Sequence, residues 1–175
     1  MYPDAASSFR TVLELHPGDA QAGYWLGVTQ LSTQEFEAAE ENFRKVLENP
    51  RVFPPAQADL GVALAAQGRF VEAYPLLAAA IDQGLGDAPR HRALALTMID
   101  ARQFDGAARH LELSLGFRED AVERARLAWV HWNLGNPDKA RRDLDMALQM
   151  EEEIDPYVDW VRGQLEGPAA VPLPD

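Results

Sequence analysis

The sequence predicts an all-α fold built as an array of repeated helix pairs, and three observations carry that expectation. The first is a step of 34 residues. Leu26-Gly27 returns as Leu60-Gly61, and Phe36 returns as Phe70 and Phe104. Ala39 returns as Ala73, Ala107 and, after 33 residues, Ala140; Phe43, Leu77, Leu111 and Leu144 keep the same register. Such a period marks stacked units that bury a core only together. The second observation is the size of the residues in two columns. Gly27, Gly61, Ala95 and Ala128 fill one; Ala39, Ala73, Ala107 and Ala140 fill the other. Small residues suit two antiparallel helices that cross closely, because a larger side chain there overpacks the contact. The third is turn chemistry. Gln67-Gly68-Arg69 and Gly135-Asn136-Pro137 read as a helix stop followed by a helix start, with glycine past the helix end and proline at the first helical position.

These columns resemble the tetratricopeptide repeat, whose signature is W-x2-L-G-x2-Y, then A-x3-F, then proline. The best-matching unit runs Leu60-Gly61, Gly68-Arg69-Phe70, Ala73, Leu77 and Ala80-Ile81. The tryptophan column departs from the signature with Gly23, Gln57, His91 and Arg124, and the tyrosine column with Gln30, Leu64, Met98 and His131. The resemblance spans residues 2–166 and implies a right-handed α-solenoid of helix–turn–helix units. It also implies a concave face lined by the first helix of each pair.

Taken in order, residues 1–18 read as a half repeat: a second helix without its first. Tyr2, Ala5, Phe9 and Val12 fall in the columns of Phe36, Ala39, Phe43 and Val46, and Pro17 closes the unit. Full repeats follow at 20–51, 54–85, 88–119 and 121–152. Pro75 is expected at the edge of the first turn of a helix starting near Phe70, where little is lost. Asp155-Pro156 starts a last, capping helix at 155–166, with Val161 and Leu165 one repeat after Leu127 and His131. Residues 167–175, GPAAVPLPD, read as an unstructured Pro-rich tail, with occupation of a groove as the alternative.

Composition narrows the function. Hydrophobic residues make up 47% of the 175, which excludes disorder throughout. With no cysteine, disulfides, thiolate metal sites and cysteine catalysis are excluded. Sixteen basic against 28 acidic residues, net −12, argue against nucleic acid and anionic lipid as partners. No apolar run is long enough to span a membrane, and the first residues show no signal-peptide pattern, so a cytoplasmic location is expected. The 14 Arg to 2 Lys point to a GC-rich, bacterial gene.

No motif points to an enzyme, a metal or a cofactor. His16, His91, His110 and His131 form no i, i+4 pair and no HExxH. His131 sits in a core column and reads as a packed histidine. Gly84-Leu85-Gly86 lacks the lysine of a phosphate loop and reads as a turn. Ser7-Ser8 and Ser114 lack a nucleophile elbow. Glu151-Glu152-Glu153 with Asp155 reads as a solvated cluster before a divalent-cation site.

A second apolar stripe runs along the first helices beside the core stripe. It comprises Tyr24, Val28 and Leu31; Ala58, Val62 and Ala65; Arg92, Leu96 and Ile99; then Ala125, Trp129 and Trp132. Its counterpart in the last helix, Asp159, Gly163 and Glu166, is polar. The stripe is either inter-repeat core or an apolar groove for a protein or peptide segment, with Trp129 and Trp132 as anchors. Residues 90–142 carry ten basic and seven acidic residues, so Arg90, Arg92, Arg124 and Arg126 are either a solvated face or a match for an acidic partner end. The carboxylate clamp that the family uses for acidic chaperone tails needs Lys and Asn where this chain has Tyr24 and Val28, so that partner is not expected. The leading reading is an interaction adaptor or scaffold. The alternatives are a homodimer through Tyr2, Phe9 and Leu13 of the uncovered N-terminal helix, or a regulatory fragment of a larger protein.

Overall fold

The computed structural model describes residues 2–48, 54–150 and 155–167, with the side chains of residues 2–4 and 54 outside that description. Among the described residues the chain is helical throughout, with no strand. The helices are α1 (Tyr2–Leu15), α2 (Ala20–Ser32), α3 (Phe36–Leu47), α4 (Pro54–Ala66), α5 (Phe70–Asp82), α6 (Ala88–Asp100), α7 (Phe104–Phe117), α8 (Ala121–Asn133), α9 (Pro137–Gln149) and α10 (Pro156–Glu166). One lone helix, four pairs and a terminal helix make the expected α-solenoid of helix pairs. Two compact units divide the chain, Met1–Gly86 with α1–α5 and Asp87–Asp175 with α6–α10.

Within each pair, the turn is set by one residue with left-handed backbone. Gln34, Gly68, Arg102 and Gly135 hold φ of 62°, 73°, 56° and 72°, and they occupy one column of the repeat. The residue after each donates its N–H back to the first helix, closing the end: Glu35 to Gln30, Arg69 to Leu64, Gln103 to Met98 and Asn136 to His131, all at 2.8–2.9 Å. These bonds satisfy carbonyls that a helix terminus leaves without partners. Glycine adopts this backbone without penalty, whereas Gln34 and Arg102 do so against the clash of Cβ with the carbonyl oxygen.

Four of the described first-position helices start on an aspartate. The side chains of Asp19, Asp87, Asp120 and Asp155 accept hydrogen bonds from the backbone N–H groups of Ala22, Arg90, Glu123 and Tyr157. Such a cap is worth roughly 1 kcal/mol. The second helices, beginning after Glu35, Arg69, Gln103 and Asn136, have no side-chain cap bond; their starts are held by packing and the tight turn.

Small residues bring the paired helices together. A Cβ on Gly27 would lie 2.6 Å from the Phe43 ring, and one on Gly61 would lie 2.9 Å from Leu77 Cγ and 3.2 Å from Leu76 Cβ. Ala39, Ala73, Ala107 and Ala140 are fully buried, as are Phe43, Leu77 and Leu111. Polar residues in the cores come with partners. Asn42 donates to Gln30 Oε1 at 2.7 Å, and His131 Nδ1 lies 2.7 Å from Asp143 Oδ2. Both pairs join the tyrosine column to the residue twelve further on. In the second repeat the same two positions are Leu64 and Leu76, an apolar pair, and in the third they are Met98 and His110.

Pro75 departs from the expectation. The helix does begin at Phe70, but Pro75 is its sixth residue and lies inside it. Its nitrogen has no hydrogen for the Val71 carbonyl. Val71 itself is 88% exposed, so the open carbonyl lies on the solvent side of the helix.

Two substitutions test this packing by urea unfolding. Gly61→Leu should destabilise by about 1–3 kcal/mol through overpacking against Leu76 and Leu77. Arg102→Gly should stabilise by about 1 kcal/mol, since glycine relieves the left-handed backbone. A loss of stability in the second variant would show that the Arg102 side chain contributes more than its backbone costs.

Candidate partner-binding surface

The second stripe falls into two parts, one per unit. In the first unit, Tyr24 is buried at 8% exposure, and its hydroxyl donates to Asp59 Oδ2 at 2.9 Å, tying α2 to α4. Ala58 and Ala65 are buried as well. Val28, Leu31 and Val62 are half-buried, so part of their apolar surface remains in solvent.

In the second unit, Leu96 and Ile99 on α6 are half-buried, and Ala125 on α8 is fully buried. The two tryptophans part company. Trp129 is half-buried between Phe104, edge-on at 5.6 Å between ring centroids, and Trp160 at 6.4 Å. Trp132, one turn further, is 43% exposed. Support from α7 and α10 fixes Trp129, and Trp132 is the large apolar side chain that α8 leaves to solvent. Tyr157 on α10 lies tilted beside Trp160 at 5.7 Å between ring centroids and carries the Arg126 guanidinium over its ring at 5.1 Å. Burial raises the Tyr157 phenol above its ordinary range, with Arg126 opposing.

Most of the arginine face is neutralised within the unit. Arg92 pairs with Glu123 at 3.0 Å, Arg90 with Asp87 at 2.7 Å, and Arg124 with Glu119 and Asp143 at 2.5 and 3.3 Å. Hydrogen bonding to Glu119 raises the Arg124 guanidinium above its ordinary value. Only Arg126 of the four makes no ion pair among the described residues, so an acidic partner end has one cation to meet here.

At the N-terminal helix, the side chain of Tyr2 lies outside the described residues, as do residues 151–154 and the tail from 168 onward. Phe9 and Leu13 are half-buried. Phe9 and Val12 of α1, with Asp19, Gln21, Ala22 and Trp25, line an open cleft of about 350 Å³. One repeat later the same columns are closed: Phe43, Val46, Ala56 and Asp59 are all buried. There, α2 supplies the cover, with Gly27 against Phe43, Gly23 against Val46 and Tyr24 bonded to Asp59. The cleft thus lies where the next repeat has a closed core. Trp25, 44% exposed, is the surface residue that the sequence stripe left out.

A histidine pair is a further feature that sequence spacing did not reveal. His91 Nδ1 and His110 Nδ1 are 2.9 Å apart, so one ring donates its proton to the other. The pair links the tryptophan column to the position nineteen residues on, the same link that joins Arg124 to Asp143. The Phe117 ring lies against His91 at 6.2 Å. Among the described residues no group of three potential ligands could hold a metal ion, and no helix is long and apolar enough to cross a membrane.

Comparison with known proteins agrees with this architecture. A family profile described as tetratricopeptide repeat matches residues 2–51 and 29–88, and a second tetratricopeptide repeat profile matches 124–142. Comparison with curated proteins yields no match. Solved structures with a similar fold include MamA from Desulfovibrio magneticus RS-1, 16% identical over 85% of each chain with a TM-score of 0.67. PilF from Pseudomonas aeruginosa is 22% identical over 94% of this chain and 75% of its own, with a TM-score of 0.72. YrrB, described as a TPR protein with an unusual peptide-binding site, is 19% identical over 87% of this chain and 79% of its own, with a TM-score of 0.64. At such identities the likeness is one of fold.

The histidine pair makes the second unit sensitive to acid. Burial lowers both imidazoles below their ordinary value of 6.5; His91 and Arg109 push His110 down further, while Asp87 pulls His91 back up. The folded state therefore binds fewer protons than the unfolded chain. Stability is full above the unfolded value near 6.5 and falls as the pH drops through it towards the lower folded values. His110→Leu, which copies Leu76 of the preceding repeat, should flatten this dependence in urea titrations at about pH 7.5 and about pH 5.5. An unchanged slope would show that the pair does not titrate as the geometry requires.

Proposed function

We propose a function from one established premise: the chain belongs to the tetratricopeptide repeat family. It is a protein-interaction scaffold that holds an apolar segment of a partner protein along its first helices, without chemistry of its own. We place its action in the cytoplasm. The observation that carries the reading is Trp132, a large ring kept exposed at the end of a stripe whose neighbours are half-buried. Desolvating such a ring in a fitted pocket is the commonest source of a binding hot spot. Leu96 and Ile99 extend the surface on α6, and Val28, Leu31 and Val62 offer apolar area on the first unit. Arg92 sits at the edge of the stripe but is bound to Glu123, which leaves apolar contact as the main source of affinity. The peptide-binding site of YrrB supports a peptide as the ligand class.

A peptide selected on the immobilised protein from a random library provides the test. Trp132→Ala should cost at least about 2 kcal/mol of its binding, roughly thirtyfold, with a smaller loss of fold stability because the ring is partly in water already. Affinity should change little between low and physiological salt, since apolar burial is not screened. Binding that survives Trp132→Ala and collapses with salt would replace the stripe by a charged surface.

A second reading, self-association through α1, draws support from the open cleft at Phe9, Val12 and Trp25. Light scattering on the wild type and Phe9→Glu decides it. A dimer that the substitution turns into a monomer supports the reading, and a wild-type monomer at high concentration removes it.

A further inference from the structure

In the third and fourth repeats, one column of the first helix carries a nitrogen-rich side chain that meets the residue nineteen further on. His91 Nδ1 lies 2.9 Å from His110 Nδ1, and Arg124 Nη1 donates to Asp143 Oδ1 at 3.3 Å. A third position, twenty-three residues on, is small in both: Ser114 and Ala147, each buried. In the first repeat the same three positions are Gly23, Asn42 and Val46. Glycine removes the side chain, and Val46 takes back part of its space: a Cβ on Gly23 would lie 3.0 Å from Val46 Cγ2. The rest is a pocket of about 200 Å³, lined by Gly23, Asn42 and Val46 together with Gly18, Asp19 and Lys45. Leu13 and Pro17 add an apolar wall. Gly18 stands in the column of Glu119, the second carboxylate held by Arg124. Glycine thus replaces both members of an ion pair that the fourth repeat keeps at this place.

We propose that this pocket is a subsite for a guanidinium group, which takes the place that the Arg124 side chain occupies in the fourth repeat. The group comes from an arginine side chain of a partner or from a small free guanidinium compound. The site is built by α1–α3 and the turn between the first two, and it does not rest on the reading of the Trp132 stripe. Size is the first argument. Engineered cavities of about 150 Å³ hold a benzene ring, and a guanidinium is a smaller planar group. Hydrogen bonding is the second. Asn42 Nδ2 spends its two hydrogens on Gln30 Oε1 at 2.7 Å and the Ala38 carbonyl at 3.1 Å. What Asn42 offers a ligand is therefore Oδ1, which accepts, so the ligand must donate. Guanidinium donates in several directions in one plane and can serve more than one acceptor. Charge is the third. Asp19 brings a carboxylate to the rim, and its Oδ1 accepts from the Ala22 N–H at 2.9 Å. That bond caps the α2 N-terminus, which would otherwise favour an anion. Lys45, the cation of the lining, is paired with Glu41 at 2.6 Å. Lys45 and Val46 belong to the last turn of α3, and a helix C-terminus favours positive charge. The net charge of −12 draws cations to the whole molecule.

The nitrogen-15-labelled full chain is titrated with methylguanidinium, with a blocked arginine tripeptide and with methylammonium, and the amide signals are followed. Gly18, Gly23 and Asn42 should shift saturably with methylguanidinium at millimolar concentrations. They should not respond to methylammonium, which has the charge without the planar fork. A tripeptide that binds more tightly than methylguanidinium assigns the pocket to a partner's arginine; one that binds equally or less tightly assigns it to a free guanidinium compound. Gly23→Arg combined with Val46→Ala copies the fourth repeat and fills the pocket from within, so the response should be lost. Asn42→Asp, which copies Asp143 and lets Gln30 turn its amide to donate, should tighten binding about tenfold, because a carboxylate accepts more strongly than an amide. Absence of a saturable shift with both guanidinium probes overturns the proposal. So does an equal response to methylammonium, a response that survives in the filled variant, or an affinity that Asn42→Asp leaves unchanged.

Discussion

Close approach of the two helices in each pair is the constraint on which the rest depends. At Gly27 and Gly61 no Cβ fits between the helices without displacing Phe43 or Leu77. Where alanine stands in for glycine, at Ala95 and Ala128, it is fully buried. This contact fixes which face of the first helix turns inward. Everything on the opposite side of that helix is then either covered by the next repeat or left as surface. The apolar stripe within each unit is a consequence of that geometry before it is a functional feature.

The turns and caps hold the geometry at its ends. A left-handed residue recurs at Gln34, Gly68, Arg102 and Gly135, and aspartate caps recur at Asp19, Asp87 and Asp120. The left-handed turn is thus common to all four described pairs, and the aspartate cap to three of them. Polar residues that enter the cores find partners, in these two columns or outside them, as His110 finds His91. Gln30 with Asn42, and His131 with Asp143, satisfy each other at a position where an apolar pair serves the second repeat. An unmatched polar residue there would cost the full desolvation of its group.

Much of this was legible in the sequence. The 34-residue step located the ten described helices, and the small-residue columns named their crossings. His131 was read as a packed histidine and is one, buried against Asp143. The aspartate caps and the left-handed column carry the same step and were open to the same reading. Pro75 was harder, because it lies only two residues beyond Ala73, whose N–H makes the first hydrogen bond of α5. The surface was less legible. Trp129 and Trp132 share a stripe by spacing, but α7 and α10 close on the first and not the second. Sequence placed four arginines on one face; only their distances to Glu123, Asp87, Glu119 and Asp143 reveal that three are already neutralised. The His91–His110 pair and the cleft beside Trp25 depend on which columns meet across a helix pair, and that information lies in the repeat geometry.

The claim that the first helices form the binding surface is tested most directly by amide hydrogen exchange with and without a selected peptide. The account predicts that added protection concentrates on α8 and α6. Protection concentrated on α7 and α9, with α8 unchanged, would contradict it.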